Sequence, residues 1–282
     1  MRTNLSLTME FLQTHPENVA IILEKFPPEE TVELLKQFPP NTVIAPVLQW
    51  MDISTGAECL RLLSDEYITE IFVAIPLHLC ARLLRQLEKT ERDRLLTLAS
   101  EKTKESLILL LKYPEDTAGG IMDPQIFSLP EDISVDEAKK RVQNNLQRLI
   151  YYIYVINRSH QLVGVLNLKE LFSSPPKEYL VTVMKKPVDR ISVNTPSNAT
   201  LSHPGWLYFP TLPVVDGKDI LLGVIHYKTK CQLETNISSK LSGAMTTAAA
   251  LGELYWLGGS SLFSGLINAF FNLSTKLDNR EK

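Results

Sequence analysis

The sequence KYPEDTAGGIM, residues 112–122, lies where one local pattern ends and another begins. Before it, short apolar runs recur about every 12 residues, and each follows a Pro, Asp or Ser. After it, runs rich in β-branched and aromatic residues alternate with helical patterns. Pro, Ser and Asp favour the first turn of a helix, whereas β-branched and aromatic runs favour strands. The sequence therefore predicts a domain of short helices followed by a domain of mixed helices and strands.

The repeat is clearest at residues 26–29 (FPPE) and 38–41 (FPPN), and similar units begin near Asp52, Ser64 and Pro76. Proline ends the preceding helix and is tolerated in the first turn of the next one, where its missing N–H has no partner. Helices this short are marginal alone. We therefore expect them to stack into a superhelical repeat domain.

Two copies of a strand–helix–strand–strand–helix order follow. The first copy predicts strands at 126–129, 151–156 and 162–166, with helices at 133–146 and 168–172. The second predicts strands at 190–193, 212–217 and 220–225, and Pro204-Gly205 interrupts its middle helix.

Composition excludes several protein classes. A net charge of −3 over 282 residues gives no basic excess for nucleic-acid binding. Three cysteines without disulfide or zinc spacing indicate a reducing compartment, and the N-terminus lacks the apolar stretch of a signal peptide. Phosphate-loop, dinucleotide-binding and zinc-protease motifs do not occur in the sequence. We expect a cytoplasmic protein that is not an enzyme.

The repeat domain, the Tyr-Pro-Glu-Asp-x-Ala-Gly-Gly junction and the two later copies together resemble the cytosolic region of the MgtE magnesium transporters, over about residues 12–232. The resemblance implies an α+β multidomain chain. Its N domain spans residues 1–116, and its two CBS modules span residues 117–177 (module 1) and 178–232 (module 2). In place of the transporters' membrane domain, we expect residues 233–282 to form a linker and a C-terminal amphipathic helix.

The resemblance also implies Mg²⁺ as a ligand that joins the helical domain to the CBS modules. Magnesium prefers oxygen ligands, and the matching positions are Asp65, Glu66, Gly120 through its carbonyl, and Asp216. Acidic residues also favour helix N-termini without any metal, which is the alternative for Asp65 and Glu66. Lys228 stands where the family has an aspartate. Either this lysine replaces one ion, or the site is lost.

CBS modules often bind adenine nucleotides through a Gly-h-h-Ser/Thr-x-x-Asp pattern, where h is apolar. Module 1 places Asn167 and Glu170 at the hydroxyl and carboxylate positions, and module 2 places His226 at the hydroxyl position. Thr195 enters the same cleft. These four residues are the predicted nucleotide contacts. The alternative is a pair of packed clefts in which Asn167 and His226 are satisfied internally.

Residues 243–273 are mostly apolar, with helical spacing over residues 262–271 and no Lys or Arg. We expect a helix that packs on its own domains or on a dimer mate, and the alternative is a groove on a membrane partner. The predicted interaction residues are Tyr255, Trp256, Phe263 and Phe270.

These inferences predict a regulatory protein related to magnesium transport but without a pore. It senses Mg²⁺, and also an adenine nucleotide, through docking of the helical domain on the CBS pair. The expected partners are a second copy, bound through the CBS modules, and a membrane transporter, which would place the chain at the inner face of the membrane. The alternative is a ligand-insensitive scaffold that docks on a membrane protein through its C-terminal helix.

Overall fold

The computed structural model describes residues 11–145, 152–186 and 188–234. These residues form two compact units, one of residues 11–75 and 86–98 and the other of residues 76–85 and 99–234. The domain boundaries predicted at residues 116, 177 and 232 stay predictions. The predicted C-terminal helix, with Tyr255, Trp256, Phe263 and Phe270, lies outside the described residues.

Short helices begin every 12 or 13 residues from Pro16 to Glu101, which confirms the predicted repeat. They are α1 (Pro16–Leu23), α2 (Pro28–Leu35), a π-helical turn (Pro40–Ile44) that continues into α3 (Ala45–Trp50), α4 (Ile53–Leu62), α5 (Asp65–Ala74), α6 (Leu77–Gln86), α7 (Lys89–Leu98) and α8 (Glu101–Leu111).

Proline and capping side chains set these starts. Pro16 and Pro28 occupy the first helical turns of α1 and α2. The Asp52 carboxylate accepts the Ser54 N–H at 3.0 Å at the start of α4. Each cap satisfies a donor that the helix itself leaves without a partner.

In the first unit, helices pack against the helix that lies two positions further along the chain. Helix α1 packs on α3, α2 on α4, and α5 on α7. The buried faces consist mainly of wholly buried leucine and isoleucine, including Leu35, Leu48, Leu60 and Ile68. Burying one such side chain contributes about 1.5–3 kcal/mol, so neighbouring repeats stabilise helices that would be marginal alone.

The second unit contains two similar β-sheets. Module 1 consists of α9 (Ala118–Ile121), β1 (Ser128–Pro130), α10 (Val135–Gln143), β2 (Tyr152–Ile156), β3 (Leu162–Asn167) and α11 (Leu168–Ser173). Module 2 consists of α12 (Leu180–Val183), β4 (Ile191–Ser192), α13 (Ser197–Leu201), a 3₁₀ turn (Pro204–Leu207), β5 (Thr211–Val215) and β6 (Leu221–His226). Residues 227–234 are helical.

The two sheets share one topology. In each, a short first strand runs parallel to the second, and the second pairs antiparallel with the third, in the orders β1-β2-β3 and β4-β5-β6. A buried cluster of Tyr154, Leu162, Val215 and Val224 joins them. The predicted pair of β-α-β-β-α modules is therefore confirmed.

The helices and strands of the second unit differ from the predicted ones by only a few residues at their ends. The helix predicted from residue 133 begins at Val135, because Ser134 caps it by accepting the Glu137 N–H at 3.2 Å. The predicted break at Pro204-Gly205 is confirmed. Where a longer helix would continue, the 3₁₀ turn leaves Leu207 80% and Tyr208 76% exposed.

Candidate functional site

Two arginines on α6 hold the junction at residues 112–122. Arg82 Nε lies 2.5 Å from Glu115 Oε1. Arg85 donates from Nη2 to the backbone carbonyls of Leu110 at 2.7 Å and Tyr113 at 2.6 Å. Hydrogen bonds from a charged donor are stronger than neutral ones. The junction is therefore fixed by side chains three residues apart on one helix.

The glycines of the junction occupy positions that have no room for a side chain. The N–H groups of Ala118 and Gly119 donate to the carbonyls of Thr195 and Val193, at 2.8 and 2.9 Å. A Cβ on Gly120 would lie 2.3 Å from the Pro114 carbonyl oxygen. Gly120, a predicted metal position, is buried here, and Thr195, a predicted nucleotide contact, uses its carbonyl to hold the junction.

His78, also on α6, is a titratable group beside the junction. Burial lowers the pKa of His78 to about 4, and the positive charge of Arg82 adds to this effect. The carboxylate of Asp123 acts in the opposite direction, while His226 lowers the pKa further. His78 is therefore neutral at physiological pH.

In module 1, the two residues of the predicted nucleotide-binding pattern cap a helix. Asn167 Oδ1 accepts the Glu170 N–H at 2.8 Å, and Glu170 Oε2 accepts the Asn167 N–H at 3.0 Å, so the two form a capping box on α11. Lys185 forms an ion pair with the same carboxylate. Burial alone would raise the pKa of Glu170, but the bonds from Lys185 and Asn167 outweigh it and lower that pKa.

In module 2, His226 is the residue of the predicted nucleotide-binding pattern. It is the last residue of β6 and faces Asp123. Its Nε2 lies 3.5 Å from Asp123 Oδ2. Its Nδ1 is buried and has no hydrogen-bond partner among the described residues. Burial would raise the pKa of Asp123, but hydrogen bonds from His226 and from the Gln125 N–H lower it. The carboxylate therefore stays ionised, and one imidazole nitrogen keeps an unused hydrogen-bonding capacity.

Asp65, predicted as a metal ligand, lies in the first turn of α5. Its Oδ1 is 2.5 Å from Arg94 Nη1, and Arg94 Nη2 is 2.7 Å from Glu91 Oε1 on α7. Glu66 beside it is exposed. A cation at Asp65 would therefore compete with a guanidinium already in place.

Asp216 lies in the turn between β5 and β6. Its Oδ1 accepts the N–H groups of Lys218 at 2.8 Å and Ile220 at 2.9 Å, which makes it a turn-stabilising aspartate. Within the described ranges, no three His, Cys, Asp or Glu side chains lie close enough to hold a metal ion together. In the same part of the chain, no helix is long and apolar enough to cross a membrane.

The structure therefore brings Asn167 together with Glu170, and it adds three partners that the sequence analysis missed: Asp123, Lys185 and Arg94. One signal was available for two of them. In each module, a methionine followed by a charged residue precedes the first strand: Met122-Asp123 in module 1 and Met184-Lys185 in module 2. Aligning the two copies on these methionines would have marked Asp123 and Lys185 as equivalent positions.

Comparison with known proteins agrees with this architecture. Residues 14–116 match the MgtE intracellular N domain, and residues 118–176 match the CBS domain. The chain is 30% identical over 135 residues to the magnesium transporter MgtE of Thermus thermophilus, covering 47% of this chain and 30% of that one. It is 29% identical over 119 residues to MgtE of Bacillus subtilis, covering 42% and 26%. The match thus spans less than a third of each relative.

Two solved structures share the fold. One is the cytosolic domain of the Mg²⁺ channel MgtE in complex with ATP, 25% identical, with a TM-score of 0.55 over 76% of this chain and 93% of that one. The other is the soluble part of a magnesium transporter, 19% identical, with a TM-score of 0.56 over 84% and 98%. Residues 14–116 therefore form an MgtE intracellular N domain, residues 118–176 form a CBS domain, and the chain is homologous to the cytosolic domain of MgtE.

Proposed function

We propose that this chain is a regulatory protein of magnesium transport that responds to Mg²⁺ and, at its CBS pair, to an adenine nucleotide. The observation that carries the proposal is the order of the parts: an MgtE N domain, a junction held by Arg82 and Arg85, and a CBS pair. The ATP complex of the homologous cytosolic domain supports the nucleotide part.

In this proposal, Mg²⁺ acts by changing how the helical domain docks on the CBS pair. Facing carboxylates repel without metal, and a bound cation offsets that repulsion. Asp65 and Glu66 are the best-placed candidates, because the Asp65 side chain is 61% exposed although Arg94 pairs with it. A ligand shifts such an equilibrium only by its differential affinity for the two states.

Gly120 and Asp216 stay proposed metal positions. Gly120 is also packed tightly at the junction, and Asp216 also stabilises the turn between β5 and β6. Asn167, Glu170, Thr195 and His226 stay proposed nucleotide positions. We further propose a cytoplasmic homodimer that forms through the CBS modules and meets a membrane transporter through residues 233–282.

A second function is favoured by a specific observation. The Asp65 carboxylate is paired with Arg94, and the Asn167 and Glu170 side chains form a capping box. Side chains already satisfied by their own chain need no ligand, which is what a ligand-insensitive scaffold would show.

Thermal unfolding across a Mg²⁺ titration separates the two functions, because a ligand that binds only the folded state raises the melting temperature by mass action. The sensor predicts a rise in the wild type that Asp65→Asn with Glu66→Gln removes. Glu70→Gln, a neutralised exposed carboxylate on the same helix, is the matched control and should retain the rise. A melting temperature that does not respond to Mg²⁺ would contradict the sensor and favour the ligand-insensitive scaffold.

A further inference from the structure

An apolar surface lies beside the interrupted helix of module 2. Leu207 is 80% exposed, Tyr208 is 76% exposed, and Tyr227, at the start of the last described helix, is 46% exposed. The rings of Tyr208 and Phe209 meet edge to face with centroids 6.5 Å apart, and those of Trp206 and Tyr227 do so at 6.1 Å. We call these five residues the aromatic patch. A contiguous exposed apolar surface of this kind indicates an interaction site.

The topology of a CBS module does not require this patch. In module 1, the corresponding helix α10 has nine residues and carries two ion pairs on its exposed side, Lys140 with Asp136 and Arg141 with Glu137. In module 2, α13 has only five residues, and the turn that follows it exposes Leu207 instead of charged groups. The same part of the fold is therefore solvated by ion pairs in one module and left apolar in the other.

We propose that the aromatic patch is the docking site of this chain's own residues 262–271, the tail segment. Its apolar residues have helical spacing, and they are Leu262, Phe263, Leu266, Ile267, Phe270 and Phe271. An apolar face can be buried only once, so this docking competes with the proposed contact between the tail and a membrane transporter. Only that competition rests on the proposed function, and the docking itself does not.

The attachment of the tail favours this occupant. The Tyr227 N–H donates to the Pro210 carbonyl at 2.9 Å, so the helix over residues 227–234 starts at the patch. Its end lies only about 10 Å further along the helix axis. The 27 residues 235–261 can span up to about 90 Å when extended, which is ample for a return to the patch. A tethered segment has an effective concentration in the millimolar range, which favours it over a second copy.

The tail segment also suits the patch in charge. Residues 254–275 contain no charged side chain, whereas a helix that binds a membrane surface carries Lys and Arg on its polar face. At the patch, Lys230 Nζ lies 5.4 Å from the centre of the Tyr227 ring and 2.8 Å from Glu234 Oε1. The charge of Lys230 is therefore already paired, and an uncharged segment can cover the patch without needing a counter-charge.

Disulfide trapping in the full chain, without Mg²⁺ or nucleotide, tests the docking. Cys231→Ser first removes the exposed cysteine, and the other two cysteines of the chain are buried. Leu207→Cys is then combined with Ile267→Cys on the apolar face of the tail segment, or with its neighbour Asn268→Cys on the polar face. With oxidised glutathione, we expect the Ile267→Cys pair to form an intramolecular disulfide about tenfold faster, because a docked helix holds one face on the patch.

Three results would overturn the inference. Equal rates for the two pairs would mean that the tail segment meets the patch only by diffusion. A disulfide between two chains, seen as a doubled mass on a non-reducing gel, would assign the patch to a second copy. No disulfide in either pair would leave the patch to a different partner. Should Leu207→Cys fail to fold, Tyr208→Cys on the neighbouring exposed side chain replaces it, with the same outcomes. None of these results decides the proposed response to Mg²⁺, which thermal unfolding tests separately.

Discussion

His78 should make the stability of the fold depend on pH. In the folded chain the pKa of His78 is about 4, lowered from 6.5 by burial first and by Arg82 second. In the unfolded chain it returns to its ordinary value of about 6.5. The unfolded state therefore binds more protons between these values, so stability is fully present above pH 6.5 and is lost as the pH falls toward 4.

The size of the effect follows from the two pKa values. Between pH 7.5 and 4.5, the linkage relation gives a loss of about 2.5 kcal/mol in the free energy of unfolding. The His78 side chain keeps partial contact with solvent, so this figure is an upper value. It is still a large fraction of the roughly 5–15 kcal/mol that stabilises a domain.

Urea unfolding at pH 4.5, 5.5, 6.5 and 7.5 measures this loss, with His78→Gln compared to the wild type. Every other titratable group is the same in the two proteins, so the difference between the two pH dependences isolates His78. We expect the wild type to lose up to about 2.5 kcal/mol more than His78→Gln on acidification. His160→Asn, at an exposed turn with positive φ that suits asparagine, is the control and should follow the wild type. A difference below about 1 kcal/mol would refute the lowered pKa of the His78 imidazole.

Two further predictions concern packing and charge. Gly164→Ala should destabilise the chain by about 1–3 kcal/mol in urea unfolding, because its Cβ would overlap the Met184 sulfur. Gly217→Ala, where no atom lies within 4 Å of the new Cβ, should change stability by less than about 0.5 kcal/mol, and equal effects would contradict the packing argument. Arg94→Gln should cost less than about 1 kcal/mol, since the pair with Asp65 is exposed. It should also enlarge the Mg²⁺-dependent rise in melting temperature, and an unchanged rise would exclude Asp65 as a cation ligand.

The helical repeat could be predicted from the sequence because its signals are local. Pro16, Pro28 and Pro40 mark helix starts by chemistry that acts within one turn. Pro204-Gly205 marks the place beyond which the middle helix of module 2 does not continue. The observed helix boundaries differ from the predicted ones where a capping residue lies within the apolar pattern, as Ser134 does at the start of α10.

The candidate site was less predictable because its contacts are distant in sequence. The positions of Glu170 and His226 follow from a motif. Their partners Lys185 and Asp123 become visible only in the fold, where Lys185 bridges to Val165 and Asp123 bridges to Val224. One local signal was missed: Asn167-x-x-Glu170 is itself a capping-box sequence. The ion pair between Asp65 and Arg94 depends on the stacking of α5 on α7, which no local pattern specifies.

Small-angle X-ray scattering of the purified chain, from no Mg²⁺ to millimolar Mg²⁺ and with Ca²⁺ as control, tests the proposed sensing most directly. If Mg²⁺ docks the helical domain on the CBS pair, the radius of gyration falls as Mg²⁺ rises, and Ca²⁺ at the same concentrations does not reproduce the fall. A radius of gyration that stays constant across the titration would contradict the sensor and leave the ligand-insensitive scaffold.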